Sequence, residues 1–160
     1  MLYPPDYIWK MIKKIEKHNR QVVVGCGGYI MKEQVNQFYS DRKSNWHISS
    51  PNTQDQPVQI LHTALTAWHS TALEFKYEDC EMPNMGDIWL AIAAQKQLVP
   101  MILVERPANW VKPLPMPVAE TIYGRFRNSC HDQTAVFNSW KDWKVIPFEK
   151  IKTVSAVSSV

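Results

Sequence analysis

Apolar positions along the chain change period several times. From residue 6 to residue 19, Ile8, Met11, Ile12 and Ile15 recur at i, i+3, i+4 and i+7, with lysines between them. That spacing predicts a helix with its apolar face on those four residues and Asp6 at its cap. Residues 21–26, QVVVGC, form a continuous apolar run, which predicts a short buried strand. Helical spacing resumes through Met31, Val35 and Phe38, predicting a second helix over 29–39. Residues 40–55 are polar and rich in turn formers, so a long loop is expected, with a short strand around Trp46, His47 and Ile48.

The second half reads as helix, strand, helix, strand. Val58, Leu61, Leu65 and Trp68 share a helical face over 57–70, with Pro57 near the first turn. Residues 72–78 alternate Leu73, Phe75 and Tyr77 with Glu74, Lys76 and Glu78, the pattern of a half-buried strand. Asp87 opens an apolar helix over 87–98, and 99–106 is an apolar strand with Pro100 near its start. The strands at 72–78 and 99–105 with the helix between them predict a right-handed crossover unit. Prolines 107, 113, 115 and 117 predict an extended, polyproline-like stretch. Residues 118–128 suit a short helix. Residues 135–151 carry Phe137, Trp140, Trp143 and Phe148 and are expected to end in a strand. Residues 152–160 offer no large anchor and are expected to fray. The order predicts an α/β or α+β fold: one compact domain over 1–151, a small mixed sheet flanked by helices, and a C-terminal tail at 152–160.

Composition changes this picture little. A chain of 160 residues with 45% hydrophobic and 21% charged residues is globular rather than disordered. It can bury roughly two-thirds of its unfolded surface. A net charge of +3 is too small to argue for nucleic acid unaided. The charges separate along the chain: Lys10, Lys13, Lys14, Lys17 and Arg20 lie near the start, and Glu74, Glu78, Asp79, Glu81 and Asp87 in the middle. Cys26, Cys80 and Cys130 show no paired spacing, and the first residues lack the apolar core of a secretory leader. No apolar run approaches membrane-spanning length. Free thiols and a cytoplasmic location without membrane attachment are therefore expected.

Three stretches carry candidate chemistry. In VVVGCGGYIM, Gly25, Gly27 and Gly28 follow a strand and precede the expected helix, the order in which backbone N–H groups cradle a phosphate. Their spacing matches neither the dinucleotide fingerprint nor the P-loop. In LEFKYE, Glu74 and Lys76 on an expected strand resemble the second half of the P-D…(D/E)-x-K nuclease signature. The resemblance covers three residues. It implies a carboxylate that binds Mg²⁺ and a lysine that orients water, with Asp41 or Asp55 as the choices for the upstream carboxylate and Asp55 taken as the third member of the set. In WKDWK, Trp140 and Trp143 interleave with Lys141 and Lys144, which suits stacking on bases or packing against a protein. Trp46, Arg42 and Lys43 in the long loop are of the same kind. The five histidines have no metal-binding spacing, and no tightly bound metal or cofactor is expected.

The leading expectation is a non-enzymatic binding protein, such as a regulator, inhibitor or adaptor, whose partner is another protein or a protein–nucleic acid complex. The alternatives are a Mg-dependent nuclease using Glu74 and Lys76, and a nucleotide or phosphate module using the GCGG turn.

Overall fold

The computed structural model describes residues 1–148. The expected tail at 152–160, and the last residues of the strand expected before it, lie outside the described residues. The first helix, α1, spans Tyr7–Lys17. It buries Tyr7, Met11 and Ile15, one residue per turn, and leaves Ile8 and Ile12 on the surface. Asp6 precedes it but does not cap it with its side chain. Its carboxylate instead takes Lys10 at 3.2 Å and the Trp110 indole N–H at 3.2 Å.

Seven short strands follow: β1 (Val23–Gly25), β2 (Gly28–Met31), β3 (Arg42–Trp46), β4 (Gln56–Val58), β5 (Ile60–Leu61), β6 (Thr66–Trp68) and β7 (Met101–Leu103). They form two sheets, one ordered β4-β7-β1-β6 and one ordered β3-β2-β5. In the first, β1 is parallel to β7 and antiparallel to β6. The chain passes from one sheet to the other four times: at Cys26–Gly27, between β3 and β4, at Gln59, and between β5 and β6. Both β1 and β7 are buried on both faces. Val23, Met101 and Leu103 point one way, and Val22, Val24, Ile102 and Val104 the other. That two-sided burial explains why both strands read as unbroken apolar runs.

Helix α2 (Gly86–Lys96) covers the first of these faces together with the second sheet, and α1 covers the other. Ile88, Leu90, Ala91, Ile92, Ala93 and Ala94 of α2 are all buried, so this is a central helix, apolar on nearly every side. A five-residue helix, α3 (Ile122–Phe126), and α4 (His131–Ser139) complete the domain, with Val136 and Phe137 of α4 reaching the α2 side of the core. The described residues form a single α+β domain with four helices and two small sheets.

Three expected elements are replaced. Residues 29–39 are strand β2 followed by turns, not a helix. Met31, Val35 and Phe38 are buried as their spacing implied, but through a loop in which Asp41 accepts the N–H groups of Asn36 and Gln37. Residues 57–70 form β4, β5, a 3-10 turn at Thr63–Leu65 and β6 instead of a helix. Pro57 is tolerated because β4 is an edge strand. Residues 72–78 form no strand, so the expected crossover unit is absent. Leu73 is buried, Tyr77 is 87% exposed, and the side-chain amide of Gln97 stands in for a neighbouring strand, accepting from Glu74 N–H at 3.0 Å and donating to Glu74 C=O at 2.7 Å.

Candidate functional site

Two places gather groups able to act on another molecule. The first is polar and lies at the start of α2. Tyr29 on β2 donates its hydroxyl to Asp87 Oδ2 at 3.2 Å. Arg42, at the bulge where β3 meets Met31, lays its guanidinium 4.2 Å from the centre of the Tyr29 ring. Its Nη1 donates to Asn45 at 3.2 Å, and its Nε is buried without a partner. His62, after β5, has its ring centre 5.8 Å from that of Tyr29. Burial raises the Asp87 carboxyl above its usual range against the opposing pull of the Tyr29 hydrogen bond. Burial, followed by the nearby Arg42 and His47, pushes the His62 imidazole down to about 4. His62 is therefore a neutral ring at pH 7, and neither buried thiol is hydrogen-bonded to it. Cys26 Sγ lies 3.9 Å from Met11 Sδ, and Cys130 Sγ accepts from Thr134 at 3.9 Å. Chemically the cluster is a set of desolvated groups packed on each other, without a nucleophile paired to the base.

The glycines serve this packing. Gly27 lies against His62: a Cβ there would meet His62 Nδ1 at 2.4 Å. One at Gly28 would meet the Ile60 carbonyl at 2.6 Å. Gly25, Gly27 and Gly28 join two strands rather than a strand and a helix, so no helix N-terminus stands behind them.

The other residues singled out in the sequence are dispersed. Glu74 and Lys76 pair with each other at 2.7 Å on an exposed, irregular segment. Asp55 is held elsewhere, by Lys14 at 2.6 Å, Lys17 at 2.9 Å and the Glu105 N–H at 2.8 Å. Asp41 is taken by Lys32 at 3.0 Å. Trp143 stacks on Phe137 with ring centres 4.4 Å apart and donates to the Phe137 carbonyl, and Trp140 and Trp46 pack against the α2 side of the core. Lys141, Lys144 and Lys43 are exposed. Among the described residues no group of three or more His, Cys, Asp or Glu side chains is placed to hold a metal ion.

The second place is apolar. Between α1 and β6 runs a groove of about 430 Å³, lined by Tyr3, Ile8, Ile12, Ile15, Thr66 and Ala67 among others. Tyr3 closes one end by donating its hydroxyl to the Ala64 carbonyl at 2.8 Å. Of the lining, Ile8 is 67% exposed, Ile12 51% and Tyr3 48%; Trp9, one residue on from Ile8, is 61% exposed and carries Lys13 5.9 Å from its ring centre. The periodicity of α1 placed Ile8 and Ile12 in the core, which the structure corrects. The usable signal was excess: Tyr7, Ile8, Met11, Ile12 and Ile15 make an apolar arc wider than one helix–sheet contact buries.

No protein-family model matches this chain, and no curated protein matches it. Among the described residues no helix is long and apolar enough to cross a membrane.

Proposed function

We propose that this chain is a non-catalytic, protein-binding module that engages its partner through the groove between α1 and β6. The observation that carries this reading is the exposed apolar lining Tyr3, Ile8 and Ile12 beside β6, an edge strand of its sheet. Monomeric proteins rarely expose contiguous apolar surface of this kind unless something docks on it. An edge strand with a hydrophobic neighbour is also a common place for a second chain to add. A regulator or adaptor needs no more than such a surface on a stable scaffold. The nuclease and phosphate readings have less support, because Glu74, Lys76 and Asp55 are engaged in separate ion pairs and the glycines are held by packing.

A photo-activated cross-linking amino acid in place of Trp9 tests the reading in cells that produce the protein. The expected result is a discrete covalent adduct that disappears when Ile12→Asp is added. Absence of any adduct removes the groove as a working surface.

A further inference from the structure

We infer that the occupant of the α1–β6 groove is a second copy of this chain, joined edge to edge at β6 about a two-fold axis. The inference rests on the protein-binding reading above and names its partner. The backbone of the sheet supplies the first argument. Val23 donates its N–H to Pro100 and Gly25 accepts from Val104, so both direct their backbone groups at β7. Val24, between them, faces β6, where its register partner is Ala67. Ala67 therefore turns its N–H and C=O toward β1, and Thr66 and Trp68 turn theirs outward. A strand with that pattern is complementary to itself. Antiparallel pairing centred on Ala67 sets Thr66 opposite Trp68 of the other copy and Trp68 opposite Thr66, and each outward N–H and C=O finds a partner.

Charge supplies the second argument. In an isologous contact every charge on the axis faces its own image. No residue lining the groove is charged. Of the charges on α1, Lys10, Lys14 and Lys17 engage Asp6 and Asp55, Glu16 pairs with Arg20, and Lys13 lies 5.9 Å from the centre of the Trp9 ring, outside the groove lining.

Area and spacing supply the third. Tyr3, Ile8 and Ile12 of the groove are each about half to two-thirds exposed. Together they present roughly 330 Å² at about 200 Å² for a whole large side chain, to which the free edge of β6 is added. A stable dimer covers about 800 Å² per partner, somewhat over half of it apolar. Helix α1 lies over β1, so pairing at β6 would separate the two α1 helices by three strand spacings, about 14 Å. Close helix pairs sit about 8–10 Å apart. Ile8 and Ile12 from both copies fill the difference.

Analytical ultracentrifugation from micromolar to sub-millimolar protein should show a species of twice the 18.6 kDa chain mass. Ile8→Asp with Ile12→Asp should reduce it to one chain with an unchanged circular dichroism spectrum. Ala67→Cys, made in a Cys80→Ser background, should cross-link to a disulfide dimer under mild oxidation, because facing residues of a non-hydrogen-bonded pair lie about 4.5 Å apart. Hydrogen exchange of the unaltered protein gives a readout that depends on no variant: the Thr66 and Trp68 amides should be protected. A single-chain mass at every concentration, a dimer indifferent to Ile8 and Ile12, or fast exchange at Thr66 and Trp68 would each overturn the inference. A Trp9 adduct with a protein of another mass, from a chain that is monomeric when pure, defeats the second copy while leaving the binding reading in place. Loss of every adduct defeats both.

Discussion

Asp55 ties three parts of the chain together, with α1 on one side through Lys14 and Lys17 and the end of β7 on the other through the Glu105 N–H. Burial alone would raise its pKa, but these bonds outweigh it and hold the carboxyl at about 2, from an ordinary 3.8. His62 departs in the same stabilising sense: buried neutral, it titrates near 4 rather than 6.5. In both cases the unfolded chain binds its proton first as the pH falls. The His62 contribution is thus present above pH 6.5 and lost toward about 4, and the Asp55 contribution is present above 3.8 and lost toward about 2. Denaturant midpoints measured against pH should decline in these two windows. His62→Gln should make the upper decline shallower, leaving the part His18 contributes, and Asp55→Asn the lower, leaving the part Asp41 contributes. Leu73 and its neighbours allow a different test. Leu73 is buried with the core around α2, so Leu73→Ala should cost about 2–5 kcal/mol. Glu74 and Lys76 are well exposed, and their alanine variants should each stay within about 0.5 kcal/mol in the same melts.

The turn between β1 and β2 shows how little room the elements leave. A methyl at Gly27 would press on His62 and on Ile48 Cγ2 at 2.9 Å, so a ring and a buried branched side chain would both have to shift. Gly27→Ala should destabilise by about 1–3 kcal/mol. Gly86→Ala, whose nearest neighbour is Thr63 Cγ2 at 3.6 Å, should be neutral or stabilise by up to about 1 kcal/mol. Paired thermal melts check the contrast. The same crowding explains which elements were legible. Helices α1 and α2 and strands β1 and β7 follow from their own periodicity, because each is long enough or apolar enough to declare itself. Residues 57–70 mimic a helix because Val58, Leu61 and Leu65 all enter the core, yet they do so around two corners. The quieter signs were the β-branched residues Val58, Ile60, Thr63 and Thr66 and the proline that suits a sheet edge. Residues 72–78 alternate correctly at Leu73 and Phe75, but no strand lies beside them for the pattern to act on. The apolar groove was hidden for the opposite reason: exposure of Ile8 and Ile12 depends on where α1 lands on the sheet, which periodicity does not encode.

At the scale of the whole molecule, the two sheets share their chain at Cys26–Gly27 and at Gln59, and α1 and α2 close opposite faces of β1 and β7. β1 forms early in the sequence but sits between β6 and β7, which are encoded at Thr66–Trp68 and Met101–Leu103. During synthesis this order has a cost in time. When Val22, Val23 and Val24 leave the ribosome, neither flanking strand exists, and one of them is still missing until Leu103 has emerged. At about 5–20 residues per second that interval lasts several seconds, long enough for chaperones that hold extended apolar chain to compete with folding. The nascent chain thus spends its most vulnerable period with an apolar strand already outside and that strand's last partner still untranslated.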